Sequence, residues 1–200
     1  DWTPQAAQPL VPDAPVTVLS AAQDAGRKIC DAYLLARGLA PQPLREDEQT
    51  ELLKTLLARP RRRELEQASY TLLFGGLSLA ALTHLTRHRM QSLCPPQLLQ
   101  NIRYDRYVLP QSVRDKGMEA RYRSAFELAG QAAAQLRERG ADESALCYLM
   151  LSGQTVPVLT TMNAGELYVF FRLRCCTRAQ WEIRDAACQA LAALREVSPE

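Results

Sequence analysis

Arg87-His88-Arg89 sets three nitrogen-rich side chains in a row. They follow an apolar run, Leu79, Ala80, Ala81, Leu82 and Leu85, and precede Cys94-Pro95-Pro96 and Leu98-Leu99. Guanidinium forks suit phosphate or carboxylate, so one chemistry for the triplet is anion binding. Cations at a helix C-terminus also complement its dipole, so the other is a terminal charge cap. Successive helical residues point about 100° apart, so the triplet can serve one small spot only if a helix ends there. Pro95-Pro96 places such an end nearby. His84 and His88 stand four apart, a spacing that puts two imidazoles on one helical face. No Glu follows His84 and no third ligand is evident, so the expectation is one packed and one hydrogen-bonded histidine and no metal.

A second cluster lies near the C-terminus. Arg172, Arg174, Arg178 and Arg184 are embedded among Phe170, Phe171, Trp181 and Ile183. Arginine beside large apolar side chains often has a partly desolvated head with a dedicated acid or anion partner. Glu166 and Glu182 are the nearby acids; intrahelical pairs such as Glu182 with Arg178 are the plainer alternative.

The elements that must position these residues follow from spacing and punctuation. Pro4, Pro9, Pro12 and Pro15 make residues 1–15 an extended N-terminal arm ahead of a single domain over 16–200. Val16–Ser20 reads as a strand, and Ala21–Arg37 as a helix capped by Ser20 and stopped by Gly38. Pro41 and Pro43 mark a linker. Glu46–Ala58 is an amphipathic helix with Leu52, Leu53, Leu56 and Leu57 as its stripe. Arg59–Arg63 is a basic turn, either a solvated loop or an anion contact. Ser69–Leu77 reads as a buried strand ending at Gly75-Gly76, after which Ser78 caps a helix reaching about Met90. Tyr104–Leu109 is strand-like, Gly117–Arg139 a long helix closed by Gly140, and Asp142 to about Leu151 a short helix. Val156–Met162 is a strand, Asn163 caps a helix to about Cys175, and Thr177 caps a last one to about Val197. Helices dominate, and the few strands can pair only at long range, so the class is α+β, with helices packed on a small antiparallel sheet.

Composition bounds the function. Two hundred residues with 47% apolar content build one ordinary core, and no window approaches a membrane span. A formal charge of +2 argues against a dedicated nucleic-acid binder. Six cysteines with no C-x-x-C, two of them the neighbours Cys175 and Cys176, point to reduced thiols in a cytoplasmic protein. Asp1-Trp2-Thr3-Pro4-Gln5 lacks the cationic and apolar regions of a secretory leader.

Three stretches resemble the flavin-dependent thymidylate synthases, the ThyX family. Leu85-Thr-Arg-His-Arg89 resembles the start of that family's RHR-x7-S motif, and Tyr104-Asp-Arg-Tyr-Val-Leu-Pro110 its later aromatic segment. Asn163-Ala-Gly-Glu-Leu167 is similar to N-x-R-E-L. Phe170-Phe-Arg-Leu-Arg174 followed by Ala179-Gln-Trp-Glu-Ile-Arg184 is the most specific match. The resemblance runs from about residue 16 to 198. It implies a homotetramer with FAD and dUMP in clefts shared between subunits, methylenetetrahydrofolate as carbon donor, NADPH as reductant of the flavin, and no cysteine nucleophile. Carried onto this chain, it assigns Arg87, His88, Arg89 and Asn163 to the flavin, Arg87 also to the nucleotide, and Arg174 to polarising the pyrimidine.

The chain departs from the pattern mainly on the nucleotide side. The motif's Ser is Gln97, the phosphate-holding Arg two residues on is Leu99, and its Asn and Glu are Cys94 and Pro95. Gly165 replaces the Arg of N-x-R-E-L, Cys147 a further Arg, and His84 a nucleotide-contacting Gln. Two functions are therefore expected: a divergent flavoprotein methylating dUMP or a related substrate, or a catalytically degenerate subunit kept for assembly, alone or with an active paralogue.

Overall fold

The computed structural model describes residues 14–94, 96–101 and 103–199, with the side chain of Gln100 left aside. The proposed N-terminal arm therefore lies almost wholly outside the described residues, as does Pro95. Four strands, β1 (Val16–Ala21), β2 (Ser69–Ser78), β3 (Ser92–Cys94) and β4 (Thr155–Asn163), form one antiparallel sheet in the order β1-β2-β4-β3. Strict alternation on β4 sends Val156, Val158, Thr160 and Met162 inward. Against that face pack the helices α8 (Ala164–Arg174) and α9 (Trp181–Val197), through Phe170, Ile183, Ala187 and Ala190. The α+β architecture is as the pattern of elements indicates.

Local chemistry explains most boundaries. Helix α2 (Glu46–Ala58) buries Leu56 completely, with Leu52 and Leu53 half-buried beside it. Helix α6 (Glu119–Glu138) ends where Gly140 takes a φ of 78°. Asp142 caps α7 (Glu143–Leu146) by accepting from Ser144 N. The turn Arg59–Arg63 is folded onto aromatic rings: Arg59 reaches Glu64 at 3.4 Å and lies over Tyr33, while Arg62 lies over Tyr168 and donates to the Leu57 carbonyl. Among the described residues no helix is long and apolar enough to cross a membrane.

Several elements differ from the sequence expectation. Helix α1 (Ala25–Leu35) starts four residues late, after Asp24 in the left-handed region at φ 49°, and Ser20 belongs to β1. Strand β2 does not stop at Gly75-Gly76; a bulge between Phe74 and Leu77 absorbs the glycines and turns both Leu77 and Ser78 inward. Residues 104–109 form no strand, only a single bridge from Tyr107 to Gln154, because Tyr107 stacks at 4.2 Å on Phe126 of α6. A side chain at Gly153 beside this cluster would meet Tyr122 Oη at 2.5 Å. Helix α9 is capped by Gln180, which accepts from Ile183 N, and not by Thr177. β3 and the short helices α4 (Leu98–Asn101) and α5 (Gln111–Asp115) carry too little periodicity to be read beforehand.

Helix α3 (Leu79–Leu85) is the element that matters most for the site. Ser78 Oγ accepts from Ala81 N at 3.0 Å. Ser78 also donates its N–H and its hydroxyl to the two carboxyl oxygens of Glu182, at 2.7 and 2.6 Å. Both residues are buried, so α9 holds the start of α3 through a carboxyl group that forms no salt bridge among the described residues. The expected Glu182–Arg178 pair does not form, because Arg178 precedes the helix and Glu182 faces inward. Each hydrogen bond to a charged group contributes about 1.5–3 kcal/mol, and a buried orphan costs about as much again. Ser78→Ala and Glu182→Ala should each lower the unfolding free energy by about 2–4 kcal/mol in denaturant titration. The double variant should lose clearly less than the sum; simple additivity would show that the two groups are not coupled.

Candidate functional site

Helix α3 ends at Leu85, well short of Met90. His88 N donates to the Leu85 carbonyl at 3.1 Å, and Gln91 Nε2 to the same oxygen at 2.7 Å. Gln91 Oε1 in turn accepts from Thr160 of β4. This tight turn directs His88 inward, only 5% exposed, and leaves Arg87 and Arg89 exposed on either side of it. The four-residue spacing of His84 and His88 therefore does not place them on one helical face. Among the described residues no cluster of three His, Cys, Asp or Glu side chains could hold a metal ion.

Across from the turn, Asn163 Oδ1 caps α8 by accepting from Glu166 N at 2.8 Å. Glu166, Phe170 and Arg174 then follow at intervals of four, a single stripe along the helix. The imidazole of His88 lies edge-on to Phe170, with ring centres 5.1 Å apart, and its two nitrogens reach the stripe's two ends. Nδ1 lies 2.8 Å from Glu166 Oε1, and Nε2 lies 2.9 Å from Arg174 Nε. Arg174 Nη2 also donates to the His84 carbonyl at 3.0 Å. The expected division into one packed and one polar-bonded histidine does not hold: His88 is both buried and hydrogen-bonded, and the acid near Arg174 acts through it.

The donor pattern fixes the proton. A guanidinium has no acceptor, so Arg174 Nε must donate and His88 Nε2 must accept. Nδ1 therefore carries the hydrogen and donates it to Glu166, and the ring is neutral. Burial is the main reason its pKa is held below the ordinary value; Arg174 adds to the depression, and Glu166 opposes it. The pKa of Arg174 is also pulled down, first by burial and then by the charge of Arg87. Its Nε–H and one Nη2–H are bonded inward, which leaves the end-on edge of the guanidinium, Nη1 and the remaining Nη2 hydrogen, for a ligand. Among the described residues neither Arg87 nor Arg89 has a hydrogen-bonding or ion-pair partner. The result is a cationic spot where the rigidly held Arg174 faces Arg87, with Arg89 exposed on the other side of His88.

Of the described positions that depart from the family pattern, Cys94, Gln97, Leu99 and Cys147 lie at the surface, and His84 and Gly165 are half-buried. Gln97, Leu99 and Cys147 are exposed, Leu99 by 41%, and α4, which carries Leu99, packs against α7 just before Cys147. Gly165 sits in the first turn of α8, where a Cβ would meet Asn163 Oδ1 at 3.2 Å. Arg172, Arg178 and Arg184 are exposed and do not join Arg174.

The depressed pKa of His88 sets a direction for pH dependence. On acidification the unfolded chain takes up its proton first, so stability is full above about pH 6.5 and falls as pH drops through that value. Denaturant midpoints at about pH 7.5 and about pH 5.5 should show that loss in the parent protein and a smaller one in His88→Gln. An equal pH dependence in both would contradict the assignment.

A family model described as thymidylate synthase complementing protein matches residues 13–200. The flavin-dependent thymidylate synthase of Sulfolobus acidocaldarius is 36% identical over 138 residues, covering 68% of this chain and 53% of its own length. That of Geobacter sulfurreducens is 35% identical over 165 residues, 79% of this chain and 70% of its own. That of Clostridium tetani is 27% identical over 191 residues, 86% and 76%. The chain thus spans about half the length of the Sulfolobus relative. With the match running through every strand and helix described above, the chain belongs to the thymidylate synthase complementing protein family.

Proposed function

We propose that the chain binds FAD and takes part in the reductive methylation of dUMP or a related nucleotide, with methylenetetrahydrofolate as carbon donor and NADPH as reductant. The observation that carries this reading is the pair Arg87 and Arg174. Arg87 disfavours the charge of Arg174, and among the described residues no carboxylate pairs with either guanidinium, so an anion would complete the site. Fixed cations in a partly dry site are what stabilise negative charge developing on a pyrimidine ring. The relatives' name, flavin-dependent thymidylate synthase, supports the same chemistry.

The residues fit a flavin. Arg87, Arg89 and the Nδ2 of Asn163, whose Oδ1 caps α8, are all donors, suited to phosphate and to the carbonyls of the ring. A bound flavin supplies the hydride. Arg174 binds the developing charge through its free edge, and Arg87 holds the nucleotide beside it. The side chain of His88 has no nitrogen left to offer a ligand.

A second reading rests on Leu99 and Cys147, exposed positions without the charge that would grip a phosphate. In it the chain is a subunit of a homotetramer, or of a hetero-oligomer with an active paralogue, and lends its cationic face to a shared cleft. The exposed step of Val169 and Leu173 on α8, 39% and 53% accessible, suits burial against another copy.

Two titrations decide between them. Added FAD should appear bound in the visible spectrum, and Arg89→Ala should weaken that binding about tenfold or more; a colourless protein with no uptake overturns the first reading. Calorimetry with dUMP should show affinity weakened by about 10²–10⁴-fold relative to a chain holding both arginines, at roughly 1.5–3 kcal/mol per contact. Leu99→Arg should recover at least about tenfold. Tight dUMP binding by the unaltered chain overturns the second reading.

A further inference from the structure

We propose that Glu166 and His88 are positioning residues that hold Arg174 in its working orientation through one imidazole tautomer, and that protonation of His88 releases it. The inference rests on reading Arg174 as the group that engages substrate.

The geometry supplies the argument. Glu166 cannot touch Arg174 directly, since two helical turns separate them on α8. His88 spans the gap over the edge of Phe170, with both nitrogens bonded. Glu166 accepts from Nδ1, so Nε2 is the bare nitrogen, and a bare nitrogen is the only ring atom that can receive Arg174 Nε–H. Glu166 therefore selects the tautomer, and the tautomer fixes the arginine. The second hold on Arg174, the His84 carbonyl, restrains Nη2 but not rotation about that bond. Both bonds together orient the plane whose free edge meets the ligand.

Adding a proton reverses one link and keeps the other. His88 with both nitrogens protonated still donates to Glu166, but its Nε2–H then faces Arg174 Nε–H, donor against donor and cation against cation. The groups bearing on the ring are Glu166 and Arg174 from α8, with Arg87 acting on Arg174 from the turn that carries His88. Only Glu166 favours the added proton. Acidification below the ordinary imidazole range therefore costs Arg174 its Nε anchor and leaves it on the carbonyl alone. Loss of orientation at a group near the reaction can cost on the order of 10²-fold in rate.

The chain has only two histidines, which makes the test direct. Magnetic resonance of protein labelled at histidine nitrogen should show one ring protonated at Nδ1 and bare at Nε2 at neutral pH. That signal should vanish in His88→Gln and switch tautomer or lose preference in Glu166→Gln. On acidification its titration should move the Arg174 Nε–H signal, identified by its loss in Arg174→Lys. In turnover or ligand binding, Glu166→Gln should lower kcat or affinity about tenfold or more. His88→Gln, whose amide oxygen can still accept from Arg174, should recover part of the function lost in His88→Ala, with a flattened acid limb. An Nε2-protonated ring in the parent protein, or an Arg174 signal indifferent to the titration, overturns the proposal whether or not FAD binds. The expected tautomer and coupling in a protein that takes up no FAD sustain the positioning of Arg174 and overturn the flavin reading alone.

Discussion

The bond between Glu182 and Ser78 sets the frame in which everything else at the site is placed. A buried carboxyl group accepts both the backbone N–H and the hydroxyl of one serine, and that serine caps α3. Two helices and the end of β2 meet at this point, 104 residues apart in sequence. With its start fixed and only seven residues long, α3 has a fixed end as well, and the turn after Leu85 then determines where His88 goes. The segment Ala179–Arg184 is thereby explained from the inside: Gln180 caps α9, Glu182 holds α3, and Ile183 fills the core.

The second cap, Asn163 on α8, sets the rotational phase of Glu166, Phe170 and Arg174. Where the two caps agree, His88 meets the stripe with both nitrogens in reach. Polar groups buried in this way stabilise only when every member is satisfied. Among the described residues no buried side-chain nitrogen or oxygen lacks a partner. The network ends at its outer edge in a guanidinium with donors to spare, so satisfaction of the interior and readiness for a ligand are two aspects of one arrangement.

Elements governed by local chemistry were legible in the sequence. Strand β4, helices α2, α6 and α8, and the caps Ser78 and Asn163 follow from periodicity and from side chains that bond within three residues of themselves. What escaped depends on distant partners. The glycines of β2 read as a stop, yet pairing with β4 carries the strand through them. Residues 86–90 read as helix by composition, and the hydrogen bonds that end α3 are made in a turn whose folding is supported from Thr160. His88 and Glu166 are 78 residues apart, and nothing local joins them. One signal was present: an acid, an aromatic and an arginine at intervals of four on α8 mark a face organised for something more than packing.

Burial also separates the two halves of the motif by what the fold itself requires of each. Replacing Glu182, His88 or Glu166 strands a buried polar partner, at about 1–3 kcal/mol or more for each orphan. Such residues persist for the sake of the fold, whether or not a reaction takes place. Gln97, Leu99 and Cys147 lie at the surface, where substitutions usually shift stability by less than about 0.5 kcal/mol, so the fold does not dictate the side chains there. Arg87 and Arg89 lie at the surface too, without partners among the described residues, and folding needs them no more than it needs an arginine at 99. Arg87 moreover disfavours the charge of Arg174 in the isolated chain. The fold alone gives no account of such a cation, which is why the proposed anion site rests on the exposed arginines rather than on the buried histidine between them.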